Sequence, residues 1–108
     1  SVVLVDCLTL WLSNWVLAHE EEPALLPLVH GKIDELAAAV QAYPGRLVLV
    51  TNEVGSGIVP AYKLGRVYRD LAGRMNQRLA QVCDRVFLVT AGIPVELKSQ
   101  AFDLDSLI

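Results

Sequence analysis

An α/β fold, a parallel sheet with flanking helices, is what this sequence predicts, and three observations carry the expectation. Three short apolar runs, Val2 to Val5, Leu47 to Thr51 and Val86 to Thr90, are near-continuous in valine and leucine rather than alternating, as in strands covered on both faces. Stretches of helical periodicity separate them. No hairpin turn signal joins any two of the runs, which favours helical crossovers and a parallel sheet.

The elements follow in order. After the first strand, Leu8, Trp11, Leu12, Trp15 and Val16 share a helix face, while Leu10 and Leu17 are apolar on the opposite side. Such a helix should be deeply buried or packed on another subunit. The stretch "HEEEPALLP" (19–27), with two prolines, reads as an exposed loop. A second helix places Ile33, Leu36, Ala37 and Val40 inward and stops near Pro44 and Gly45. The third and longest runs from about Lys63 to Val82, with Leu64, Val67, Tyr68, Leu71, Met75, Leu79 and Val82 as its apolar stripe. The tail "SQAFDLDSLI" shows no periodic pattern.

Size and charge bound the function. A chain of 108 residues, 54% hydrophobic and 19% charged, makes a single globular domain, here expected to be a partial one. A net charge of -3 and a pI near 5.2 argue against a general nucleic-acid binder. No apolar run approaches the roughly 20 residues of a spanning helix. Cys7 and Cys83 have neither zinc nor C-x-x-C spacing and read as buried free thiols of a reducing cytoplasm. The chain opens on Ser1 directly inside a strand, an unusual start for a complete protein.

Ligands of open parallel sheets collect at the carboxyl ends of the strands. Three segments stand there: "DCLT" (6–9), "NEVGSGIVP" (52–60) and "AGIPVELK" (91–98). Asp6 at a strand end either holds magnesium on a triphosphate or caps the following helix. Thr9 either bonds a phosphate, a ribose or a nearby water, or serves as a first-turn hydroxyl bonded to backbone. On the third helix Arg66, Arg69, Asp70, Gly73, Asn76 and Gln77 fall on one arc opposite the apolar stripe, a ligand-binding or merely solvated face. Gly73 costs about 1 kcal/mol in mid-helix, which close approach of another backbone would explain. His19 and His30 flank the acidic loop without metal-ligand spacing. The phosphate cradle G-x-x-x-x-G-K-[ST] is absent: Gly31-Lys32 is followed by Ile33, with Leu26 where the leading glycine belongs.

"DCLTLWLSN" (6–14), "TNEVGSGIVP" (51–60) and "YRDLAGRMNQRLAQVCDRVFLVTAGIPVELK" (68–98) together resemble the adenosylcobinamide kinase / adenosylcobinamide-phosphate guanylyltransferase family. The resemblance implies a RecA-like P-loop NTPase type of fold, with its N-terminal part missing here, in an oligomeric cytoplasmic enzyme of cobalamin assembly. That enzyme phosphorylates adenosylcobinamide with ATP or GTP, then passes GMP from GTP through a histidine to form adenosylcobinamide-GDP. Carried over by motif, Asp6 and Glu53 become the catalytic carboxylates, Asp6 also near Mg2+, and Thr9 and Asn52 border the nucleotide. Arg66, Arg69, Asn76 and Gln77 become a substrate or subunit face. In the family the phosphate loop and the guanylylated histidine precede the segment matching "DCLT", so the chain alone is expected to be inactive. The alternatives are a non-catalytic interaction module on the same scaffold and a fragment of another RecA-like ATPase.

Overall fold

The computed structural model describes residues 1–53 and 63–108, the side chain of Lys63 excepted. The order is β1 (Val2–Asp6), α1 (Leu8–Ala18), α2 (Leu25–Ala42), β2 (Arg46–Val50), α3 (Lys63–Val82), β3 (Phe87–Thr90) and β4 (Ile93–Glu96). Two 3₁₀ turns, Lys98–Gln100 and Leu104–Leu107, follow within the patternless tail. The chain is α/β, with a small parallel sheet and flanking helices, as the sequence predicts.

β1 and β2 pair in parallel from Val2 opposite Arg46 to Asp6 opposite Val50. A parallel pair needs a crossover, and α1 and α2 supply it. Alternation along the strands decides what each face meets. Val5 and Leu49 pack on the helical core, whereas Val2, Leu4, Val48 and Val50 lie on the other face and stay exposed. The expectation of strands covered on both faces therefore holds on one face only.

The core is where the three helices meet. Leu8, Leu12 and Val16 of α1, Val29, Ile33 and Ala37 of α2, and Leu71, Ala72, Met75 and Leu79 of α3 form one buried cluster. Leu64, Val67, Tyr68 and Val82 pack against its edge, completing the apolar stripe read from the sequence. Leu10 and Leu17 are exposed at 62% and 59%, so among the described residues α1 is buried on one side only. Arg78 of α3 pairs with Asp34 of α2 at 3.5 Å, a surface link worth a few tenths of a kcal/mol at most.

Two departures have physical causes. α2 begins at Leu25, inside the stretch read as loop, with Pro27 in its first turn. Proline is tolerated there because first-turn amides have no i−4 partner in the helix; Leu28 N–H, directly after Pro27, donates to Ala24 O at 3.0 Å. The second departure concerns the third strand. β3 does not join the parallel sheet; it pairs antiparallel with β4, from Phe87 opposite Glu96 to Thr90 opposite Ile93. The turn between them is Ala91-Gly92, with φ of 52° and 75°. Two-residue hairpin turns want positive φ at both positions, which Asn-Gly advertises and Ala-Gly conceals. Residues 91–98 are thus hairpin and cap, not a third rim of the parallel sheet.

That hairpin is tied to α3 by its own end. The Glu96 carboxylate accepts from the amides of Val86 (2.8 Å), Lys98 (3.1 Å) and Ser99 (2.7 Å). The Lys98 ammonium donates to the carbonyls of Ala80 (2.9 Å) and Cys83 (2.6 Å), capping the last turn of α3 where carbonyls lack partners and the helix dipole is negative. The Val86 and Ser99 amides, foremost among the donors, draw the Glu96 carboxyl down to about 2 from 4.5. A carboxyl depressed on folding stabilises the native state above its unfolded value of 4.5, and that stabilisation disappears as pH falls through about 2. Glu96→Gln should therefore melt below the wild type at neutral pH, and the two melting curves should converge as the buffer is taken from pH 5 to 2. Equal melting temperatures at pH 7 would show that the carboxylate does not tie the hairpin.

Candidate functional site

Asp6 and Val50 are the last register pair of the parallel strands, so the segments leaving them emerge side by side at the carboxyl end. Cys7, not Asp6, occupies the N-cap position of α1, with extended backbone at φ -135° and ψ 143°. The helix-capping reading of Asp6 thereby lapses. Asp6 itself is exposed at the strand end.

From β2 the chain continues through Thr51, Asn52 and Glu53, and Asn52 turns back toward α1. Its amide Nδ2 donates to Thr9 Oγ1 at 3.2 Å and lies 3.9 Å from Cys7 Sγ. Thr9 Oγ1 and Cys7 Sγ are 2.6 Å apart. With its oxygen accepting from Asn52, the Thr9 hydroxyl has its hydrogen free for the sulfur. Thr9 is 7% exposed, and among the described residues no buried side-chain nitrogen or oxygen lacks a partner. The hydroxyl is thus committed to side chains rather than to the helix backbone.

The α3 helix closes the site from the other side. Tyr68 OH donates to the Thr9 carbonyl at 3.1 Å. Asn76 accepts from the Thr51 hydroxyl at 2.8 Å and donates to the Asn52 carbonyl at 3.1 Å. Of the arc read on this helix, Asn76 turns into the site, while Gln77 is exposed and lines a groove beside Leu97 and Lys98. Arg66 is exposed and Arg69 half-buried on the first turns. Among the described residues nothing lies within 4 Å of where a Gly73 Cβ would stand, so no close backbone approach explains that glycine. Glu53 is exposed directly after Asn52. Gly55, Gly57 and Pro60 lie outside the described residues.

Cys7 was not legible as a site residue. Both cysteines are half-buried rather than buried. They differ in electrostatics. The Thr9 hydroxyl, aided by the amides of Leu10 and Thr9, holds the Cys7 thiol below its ordinary range against burial and the nearby Asp6 carboxylate. Burial pushes Cys83 up, and likewise Tyr68. The one available signal was position: a thiol between a strand-end acid and a first-turn hydroxyl. The histidines stand apart from this cluster. His19, at the far end of α1, stacks on Trp15 and bonds Glu22 at 2.9 Å; His30 lies in α2. Among the described residues no three His, Cys, Asp or Glu side chains converge as a metal site.

Thr9→Val removes the first of the donors to Cys7. The pH midpoint of Cys7 alkylation by iodoacetamide, followed by peptide mass spectrometry with Cys83 as internal reference, should rise. An unchanged midpoint would mean that the hydroxyl does not donate to the sulfur.

A family model described as cobinamide kinase / cobinamide phosphate guanyltransferase matches residues 1–97. The chain is 44% identical over 106 residues to the bifunctional adenosylcobalamin biosynthesis protein CobU of Salmonella typhimurium, covering 91% of this chain and 59% of that protein. It is 42% identical over 106 residues to the protein of the same name from Escherichia coli, with the same two coverages of 91% and 59%. With the bifunctional adenosylcobalamin biosynthesis protein CobP of Pseudomonas aeruginosa the identity is 43% over 98 residues, covering 91% of this chain and 54% of that protein. The chain thus spans little more than half the length of the curated relatives it matches. Among the described residues no helix is long and apolar enough to cross a membrane. The chain belongs to the cobinamide kinase / cobinamide phosphate guanyltransferase family.

Proposed function

We propose that this chain supplies the acid-and-amide wall of a nucleotide site in a bifunctional cobalamin-assembly enzyme. That enzyme phosphorylates adenosylcobinamide with ATP or GTP and then transfers GMP from GTP to give adenosylcobinamide-GDP. The observation that carries the reading is the Asn52 side chain, which reaches from the end of β2 to Thr9 in the first turn after β1. It places Asn52 beside the segment that Asp6 opens, at the end of a parallel pair where ligands of such sheets bind. The RecA-like P-loop type of fold, a cytoplasmic setting and a homo-oligomer belong to the same reading. The exposed Leu10 and Leu17 of α1 are in keeping with the last.

Phosphoryl transfer asks the protein chiefly for positioning and for neutralisation of charge. Asp6 offers one exposed carboxylate at the strand end, and no further carboxylate, thiolate or imidazole completes a standing metal site among the described residues. That donor set fits a magnesium ion that arrives with a triphosphate and takes most of its ligands from phosphate and water. Bound in this way, the ion would neutralise phosphate charge. Asp6 would hold it, Thr9 orients the Asn52 amide, and Asn52 and Glu53, leaving the neighbouring strand, would border the same nucleotide. Transfer of GMP through a histidine splits the second reaction into two in-line steps. The 108 residues contain no G-x-x-x-x-G-K-[ST] loop, so by themselves they should turn over neither substrate.

The test is turnover of adenosylcobinamide and GTP with magnesium, followed by chromatography of the corrinoid products. The protein as its gene encodes it should form adenosylcobinamide-GDP, and Asp6→Asn should slow it by about a hundredfold. Failure to form that product, or full activity in Asp6→Asn, contradicts the assignment. Robust turnover by residues 1–108 alone contradicts the prediction that the segment is inactive in isolation.

A further inference from the structure

The α3 helix touches both halves of the site, eight residues apart along its length. Tyr68 binds the carbonyl of Thr9, and Asn76 binds Thr51 and Asn52. Those two positions are separated by about 12 Å along a helix axis, two turns and a fraction. Between them sits Ala72, 0% exposed, which with Leu71 and Met75 fixes the helix to the core. The helix is therefore a rigid bar anchored in the core and bonded to each strand-end segment.

The Asn76 amide uses both of its ends. Its oxygen accepts from the Thr51 hydroxyl and its nitrogen donates to the Asn52 carbonyl, so it brackets the peptide from which the Asn52 side chain departs. The Asn52 side chain is then the link to Thr9. Backbone held by α3 and amide held by α1 leave Asn52 little rotamer freedom. We infer that Asn76 and Tyr68 are positioning residues: α3 sets the relative position and the orientation of the hydrogen-bonded Thr9 and Asn52 at the strand ends, acting on chemistry only through that pair. The inference rests on the proposed reading of the pair as nucleotide-facing, and it deepens that reading by naming what holds the pair in register.

The geometry ranks the substitutions. Thr51→Val removes one arm of the bracket and keeps the bond to the Asn52 carbonyl. Asn76→Asp keeps the arm to Thr51 but sets a carboxylate oxygen against that carbonyl. Tyr68→Phe frees only the Thr9 carbonyl. On the protein as its gene encodes it, Asn76→Asp should lower kcat by about tenfold or more, the worth of one lost hydrogen bond with a repulsion added. The KM for the corrinoid should stay within about twofold, since binding groups are untouched. Thr51→Val and Tyr68→Phe should each cost about threefold or less in kcat. The ¹⁵N–¹H resonances of the Asn52 side-chain amide should move in Asn76→Asp and stay nearly in place in Thr51→Val. Two results overturn the inference: an Asn52 amide unmoved in Asn76→Asp, or kcat falling equally in Thr51→Val and Asn76→Asp in step with lowered melting temperature. Should the wild type turn over no corrinoid, the functional reading fails by itself, and the Asn52 resonances alone decide whether α3 holds the amide.

Discussion

One hydrogen bond connects the elements on which everything at the carboxyl end of the sheet depends: the Asn52 amide on the Thr9 hydroxyl at 3.2 Å, joining the segments that leave two paired, crossover-linked strands. Parallel pairing brings Asp6 and Val50 abreast but says nothing of what the departing loops do next. The Asn52 side chain answers that. It turns the chain after β2 back over the first turn of α1, and the hydroxyl it meets is buried, where an unpaired donor or acceptor would cost 1–3 kcal/mol by the usual order of magnitude. Asn52, Thr9 and Cys7 consequently form one polar unit, each satisfying the next.

The helical core is what allows so small a sheet to hold such a unit. Two strands alone are marginal in water. Here the sheet leans on a cluster contributed by all three helices, and α3, with Met75 and Ala72 fully buried, presents its polar residues to the site from a fixed base. The opposite sheet face, with Val2, Leu4, Val48 and Val50, is exposed among the described residues. The far end of α3 is secured separately, by Lys98 on its terminal carbonyls and Glu96 gathering three amides.

Much of this was readable from residue order, and the failures are instructive. Helix stripes such as Leu71, Met75 and Leu79 mark the core because burial follows a 3.6-residue period, whatever the wider fold. The apolar runs before Asp6 and Asn52 mark the two strands for a similar reason. Pro27 hid the start of α2, since proline breaks a helix in its interior but not in its first turn. Ala91 hid the hairpin, because a left-handed alanine is uncommon and leaves only Gly92 as a signal. Asn76 could be placed on a helix arc, yet its pairing with Thr51 spans 25 residues of sequence and depends on how α3 is set against β2. No local pattern encodes that. The lowered Cys7 thiol has the same origin, being a property of neighbours rather than of the residue. Membership of the cobinamide kinase family was legible from the three motif blocks, since their order and residue types are specific where any single one is not.

If the polar unit at the strand ends is one cooperative piece, its members must be coupled in folding energy. A double-mutant cycle on Thr9→Val and Asn52→Ala, read by denaturant unfolding of this chain, measures that directly. A coupling of about 1 kcal/mol between the two positions is the predicted result. Additivity to within about 0.3 kcal/mol would mean that the two strand ends are neighbours without being joined.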